Sequence, residues 1–193
     1  MTAPAINAAF ASQAAFRAAM EAFARPGEIR AVSGAAAPAP LAPATAALLQ
    51  SLADYETPIW LDHTFAGAPD VAEWIRFYAG APIVDDKRQA AFALIADAQN
   101  MPDVTQFALG SEEYPDRSTT LIVQIERFYG HPFRISGPGI KGARDLAADA
   151  LPENFAERLA ANRELFPRGV DLVLVAGDQI AALPRSVHIS REA

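Results

Sequence analysis

Two arginines and a glycine-proline-glycine turn offer the groups that would hold an anion. Arg117 lies in a long polar run, GSEEYPDRSTT at 110–120, and loops of this kind often carry function. Its guanidinium presents a planar fork of donors suited to phosphate or carboxylate. Equally, with Asp116 beside it, Arg117 would solvate the entry to a strand. Gly137-Pro138-Gly139 would aim backbone N–H groups at an anion, with Lys141 close by. The simpler reading, which we prefer, is a turn that ends the preceding strand, with glycine supplying positive φ. Arg168 in FPRGV (166–170) and Arg185 in LPRS (183–186) stand where strands begin and end. They would line one cleft if the fold brought them together. Both segments read first as structural, because proline and glycine set the backbone at such junctions. Ligand-binding candidates are therefore Arg117, Gly137, Gly139 and Arg185, and no residue is assigned as catalytic.

Other chemistries find less support. Glu112 and Glu113 are adjacent, and neighbours in an extended loop point apart rather than converging as an acid–base pair. The three histidines, His63, His131 and His188, are far apart and none has a second ligand at helical spacing, so no metal site is expected. The two lysines, Lys87 and Lys141, are the only candidates for a Schiff base. Lys87 sits in a charged run, DDKR, that reads as a solvated loop. No Walker loop is present and no GxGxxG follows a strand. No cofactor is expected.

Composition narrows the function classes further. The chain has 193 residues, which points to a single domain over 1–193 with residues 1–6 loose. It contains no cysteine, which excludes disulfides, thiolate metal sites and a cysteine nucleophile. Its net charge is −7, from 23 acidic and 16 basic side chains, so a phosphate-backbone partner is disfavoured and no nucleic acid is expected. No stretch is apolar and long enough to span a bilayer. The alanine-rich start lacks a basic n-region, so we expect a cytoplasmic protein with no membrane partner.

The elements that must position these residues follow from periodicity. Residues 7–24 read as an amphipathic helix with Phe16, Met20 and Phe23 on its apolar face, stopped by Pro26-Gly27. A short strand is expected at 28–32. Residues 33–44, rich in alanine and proline, make an extended connector. Thr45 would cap a helix running to 54, and 57–62 (TPIWLD) is a short buried strand. Asp70 and Glu73 have capping-box spacing for a helix that carries Val71, Trp74, Ile75 and Tyr78 and ends at Gly80. Trp60 and Trp74 read as core residues. A strand is expected at 90–96 and a short helix at 103–107. Residues 119–127 alternate, as do 133–136, and we read them as a hairpin. A helix at 153–165 enters through Pro152. The apolar run DLVLVA at 171–176 is a strand buried on both faces, turning at Gly177-Asp178 into 179–183. Residues 187–190 add an edge strand. Helices alternating with strands, then hairpins, describe an α/β fold with a mixed sheet covered by helices.

Eight segments, in order, resemble the PhnH family, the H subunit of the carbon–phosphorus lyase system for phosphonate use. They are Phe16-Arg17 with Met20 and then ARPG (24–27), TPIWLD (57–62), GAP (80–82), AFAL (91–94), GSEEYPDRSTTLIVQI (110–125), SGPGI (136–140), FPRGVDLVLV (166–175) and ALPRS (182–186). The connector at 33–44 and the segment 97–109 match least. The resemblance implies an α/β/α sandwich like the pyridoxal-phosphate transferase core, without its cofactor site. It implies a cytoplasmic subunit that forms a homodimer when isolated. It also implies work with subunits G, I and L to transfer an alkylphosphonate onto ribose C1′ of ATP, displacing adenine, and membership of a core complex with G, I, J and K. ATP and alkylphosphonate would then be ligands at the level of the complex. The family's iron–sulfur chemistry belongs to another subunit.

Overall fold

A computed structural model describes the backbone of residues 3–191 and the side chains of residues 9–190. In chain order the elements are α1 (Ala3–Ala24), β1 (Arg30–Ala31), α2 (Pro43–Leu52), β2 (Ile59–Leu61), α3 (His63–Ala66), α4 (Pro69–Tyr78), β3 (Phe92–Ile95), β4 (Thr120–Gln124), β5 (Pro132–Ser136), β6 (Ala143–Ala147), α5 (Phe155–Glu164), β7 (Asp171–Ala176), β8 (Gln179–Leu183) and β9 (His188–Arg191). Single 3₁₀ turns, Lys87–Gln89 and Val104–Gln106, precede and follow β3.

Six strands form a mixed sheet in the order β1-β8-β7-β4-β3-β2. β2, β3, β4 and β7 run parallel, while β8 returns antiparallel to β7 and β1 pairs antiparallel with β8. The period of two sorts the apolar side chains onto both faces. Ile122 of β4, Val173 and Val175 of β7 and Leu94 of β3 face a core shared with α1, α2, α3 and α4. Leu121, Val123, Leu172, Leu174 and Ile95 face the other way. That second core is closed by α5, the 98–107 segment and a three-stranded antiparallel sheet in the order β6-β5-β9. The mixed sheet covered by helices is as expected. The small sheet on its second face is not.

Several elements depart from expectation for physical reasons. The hairpin joining 119–127 to 133–136 does not form: β4 lies between β3 and β7, and β5 pairs with β6 and β9. Leu121, Ile122 and Val123 are apolar on both faces, which suits a central parallel strand rather than a half-solvated hairpin. β6 and the single-turn α3 carry too little apolar pattern to be anticipated. Thr45 does not cap α2. Ala42 takes that position with Pro43 at the first helical residue, and Thr45 is fully buried in the first turn. Asp70 and Glu73 form no capping box, because Ala68 is the N-cap of α4 and Pro69 opens it. Along α1, which starts four residues earlier than expected, the buried face is Ala15, Ala19 and Ala22, whereas Phe16 and Met20 are about half exposed. Alanine lets the helix lie close to α2 and β8, and the larger side chains are left outside. Among the described residues no helix is long and apolar enough to cross a membrane.

Candidate functional site

Arg185 leaves β8 beside the start of β7, and only 13 % of its side chain is exposed. Its Nε and one Nη bond the carboxylate of Asp171, whose Oδ1 also accepts the Arg185 backbone N–H at 2.8 Å. Nη1 donates to the carbonyls of Pro115 (2.7 Å) and Pro167 (3.4 Å), and Nη2 to the Ser118 hydroxyl (2.6 Å). All five guanidinium N–H groups are thereby engaged. The sequence set Arg168 and Arg185 as candidates for one cleft and treated the polar run at 110–120 separately; the fold joins all three segments at the Arg185 side chain. An anion bound at Arg185 would have to displace contacts that hold three chain segments together.

Arg117 is brought to the same neighbourhood but points outward. It is exposed, its backbone N–H donates to the Tyr114 carbonyl at 3.2 Å, and its guanidinium stacks 4.2 Å from the centre of the Tyr114 ring. Across the Arg185 hub, Arg163 stacks in the same manner on the exposed ring of Phe166. Glu112 and Glu113 lie exposed in the loop without converging.

Gly137 and Gly139 lie elsewhere, at the end of β5. Their φ values are +138° and +80°. A Cβ on Gly139 would stand 2.2 Å from the Ala24 carbonyl oxygen, and one on Gly137 3.2 Å from that of Ser186. The turn closes through Ile140 N–H to Gly137 O at 3.1 Å. Close backbone approach and positive φ are each reason enough for glycine at both positions. The neighbouring ARPG segment is gripped from the other side: Arg144 Nη1 donates to Pro26 O at 2.8 Å, and its Nη2 reaches Glu28 at 2.9 Å. Arg30 bridges Glu28 and Glu21. Partial desolvation pushes the Glu28 carboxyl up, but Arg30 and Arg144 outweigh it and hold the group below the ordinary carboxylate value.

A third feature lies where the parallel strands end. Asp62 follows β2 and is 4 % exposed. Its carboxylate accepts the N–H groups of Phe65 (2.9 Å), Ala96 (2.8 Å) and Asp97 (2.9 Å), tying α3 to the exit of β3. At the end of β4, Gln124 Oε1 accepts from Ala42 N–H and the Thr45 hydroxyl, and its Nε2 donates to Pro40 O. Between these anchors opens a groove of about 420 Å³ that includes Thr64, Asp97, Gln99, Gln124, Glu126 and Ala150 in its lining. Lys87 is placed elsewhere, donating to Gln106 and lying over the Trp60 ring, and Lys141 is exposed. Among the described residues no group of three or more His, Asp or Glu side chains is arranged to hold a metal ion.

A family model described as bacterial phosphonate metabolism protein (PhnH) matches residues 5–190. This chain belongs to the PhnH family. Among its relatives is the alpha-D-ribose 1-methylphosphonate 5-triphosphate synthase subunit PhnH of Rhizobium meliloti (strain 1021). That protein is 44 % identical over 185 residues, covering 95 % of this chain and 92 % of the relative. HtxG of Stutzerimonas stutzeri, a candidate C-P lyase subunit by its name, is 34 % identical over 103 residues, 53 % of this chain and 52 % of that protein.

The PhnH-like segments of this chain meet in space. ARPG packs on SGPGI and on ALPRS through Gly27 N–H to Ala182 O, while GSEEYPDRS, FPRGVD and ALPRS share the Arg185 hub. Sequence reasoning singled out neither Asp171 as the partner of Arg185 nor Asp62 and Gln124 as anchors. Asp62 had a usable signal, an aspartate directly after an apolar strand where an N-cap would stand. Asp171 had none, since its partner is 14 residues away and found only by the pairing of β7 with β8.

Proposed function

We propose that this PhnH-family chain is a single-domain, cytoplasmic accessory subunit of a carbon–phosphorus lyase system. With subunits G, I and L it supports transfer of an alkylphosphonate to ribose C1′ of ATP. A phosphonate oxygen forms the new bond to C1′ as the bond to adenine N9 breaks, and adenine leaves with the electron pair and takes up a proton. The observation that carries this reading is the 44 % identity, over 95 % of the chain, to a protein named as a subunit of the synthase whose product is a ribose 1-methylphosphonate 5-triphosphate. The geometry supports an accessory rather than an autonomous role, because the guanidinium of Arg185 is fully engaged in joining segments of its own chain. We further propose a homodimer for the isolated chain and a place in a core complex with G, I, J and K.

The test is adenine release from ATP plus methylphosphonate. The partner subunits are assayed with and without this chain, and this chain is assayed alone. We expect release to require both the partners and this chain. Release by the chain alone would make it an enzyme in its own right, and release by the partners regardless of the chain would remove it from the reaction. Either result overturns the proposal.

A further inference from the structure

We propose that the groove at the carboxyl ends of β2, β3 and β4 binds the ribose of a nucleoside through its vicinal hydroxyls. Three observations lead there. The first is position. Open α/β sheets take their ligands beyond the carboxyl ends of parallel strands where neighbouring connections part to opposite faces. Here α3 leaves β2 into one core while the 98–107 segment leaves β3 into the other. This groove is built from residues that follow three such strands: Thr64 after β2, Asp97 after β3, and Gln124 with Glu126 at the end of β4. Its volume of about 420 Å³ falls within the range of small-molecule pockets.

The second is rigidity. The buried Asp62 carboxylate fixes the α3 wall to the β3 wall through three backbone N–H groups. Gln124 is held by three contacts from the connector and α2. Ala150, in the lining, has φ +55°, the one non-glycine residue at positive φ among the described residues. A site prepared in this way loses little order when a ligand arrives.

The third is the chemistry of the lining. Glu126 and Gln99 are exposed in the groove and make no hydrogen bond to any described residue. Asp97 accepts from Asn100 and retains further lone pairs. Among the described residues no arginine or lysine lines the groove. A basic group beside it is the exposed imidazole of His63, whose Nε2 stands 3.3 Å from the Thr64 hydroxyl and 3.9 Å from Asp97, so a phosphate would meet mainly carboxylates. Hydroxyl groups are complementary instead: they donate to the two carboxylates, while the free amide of Gln99 and the Thr64 hydroxyl both donate and accept. Adjacent hydroxyls on one ring can share a carboxylate, as a ribose does in dinucleotide-binding folds. Any phosphates of the nucleotide would extend out of the groove toward solvent or a partner. The choice of ribose among diols rests on the proposed function.

The probe is adenosine titrated into the full chain, followed by calorimetry and by chemical-shift changes, with 2′,3′-dideoxyadenosine as the control that lacks the diol. We expect saturable binding of adenosine, at least about tenfold weaker binding of the dideoxy compound, and a similar loss in E126A and Q99A, which equates to about 1.4 kcal/mol. Both variants are at exposed positions, and their melting temperatures should match the parent. Absence of saturable binding, equal binding of the two nucleosides, or unchanged binding by both variants would each overturn the site. The outcomes separate from those of the adenine-release assay. Adenosine binding with no requirement for the chain in that assay keeps the site and removes the function; a requirement without binding does the reverse.

Discussion

At the scale of single residues, Arg185 shows how a side chain with the right chemistry for a ligand can be wholly occupied by its own fold. Its charge is balanced by Asp171, its fork is filled, and it ties loop 110–118 to the turn before β7. Truncation would leave Asp171, with 21 % of its side chain exposed, without its counter-charge. We expect R185A to lower stability by about 2–4 kcal/mol, seen as a fall in melting temperature of roughly 4–16 °C for a chain of this size. R185K keeps the charge but not the fork, so it should recover less than half of the loss. A melting temperature for R185A within one degree of the parent would show that the hub is dispensable. Sequence alone marked Arg185 as notable, because arginine beside proline at a strand exit is conspicuous. The segment read first as structural, from its proline, but the contacts could not be named, because they are carbonyls of Pro115 and Pro167 distant along the chain. At Gly139 the demand for glycine is steric as well as conformational: the Ala24 carbonyl leaves no room for a Cβ.

At the scale of elements, α1 separates apolar periodicity from burial. Phe16, Met20 and Phe23 recur at helical spacing, yet the fully buried face is Ala15, Ala19 and Ala22, and of the three larger side chains Phe23 alone packs partly against the core. Small side chains are weak hydrophobic signals one at a time, but together they permit a close approach that larger ones would prevent. A19L should therefore overpack the contact and cost about 1–3 kcal/mol. F16S and M20S should stay within about 0.5 kcal/mol. Denaturant titration of the three variants decides between the two faces, and a larger loss from F16S than from A19L would reverse the assignment. The strands were legible where burial is two-sided, as in DLVLVA of β7, or where the turn chemistry is explicit, as at Gly177-Asp178 before β8. β5 was recognised by its alternation but given the wrong partner, because pairing is decided by where the chain travels between 125 and 131 and not by the strand itself. β6, with Arg144 and Asp145 among its five residues, has too mixed a pattern to be seen.

For the whole molecule, the decisive feature is the six-stranded sheet with a separate apolar core on each side. β4 and β7 contribute to both cores and lie away from the sheet edges. Their amides should be the last to exchange with solvent deuterium, at the free energy of global unfolding. β1, two residues long at one edge, and β9, at the edge of the small sheet, should open earlier. Exchange of β4 at the rate of β1 would contradict a sheet organised around its centre. The overall class was readable from the order of helices and strands. The layer formed by β5, β6 and β9 was not, because nothing in short amphipathic strands says whether they extend an existing sheet or start a second one.

The chain has two tryptophans, and the sheet divides them. Trp74 is 7 % exposed in the helical core and donates its indole N–H to the Ala36 carbonyl, while Trp60 packs edge-on against Phe107 on the opposite side. Each ring is thus an intrinsic optical reporter of one layer. Replacing one tryptophan at a time by phenylalanine would let the emission of the other follow its own side alone. Because Lys87 lies over the Trp60 ring and Tyr78 beside Trp74, each signal also carries the surroundings of a surface residue. Occupancy of either face by another subunit would then be visible without an added dye.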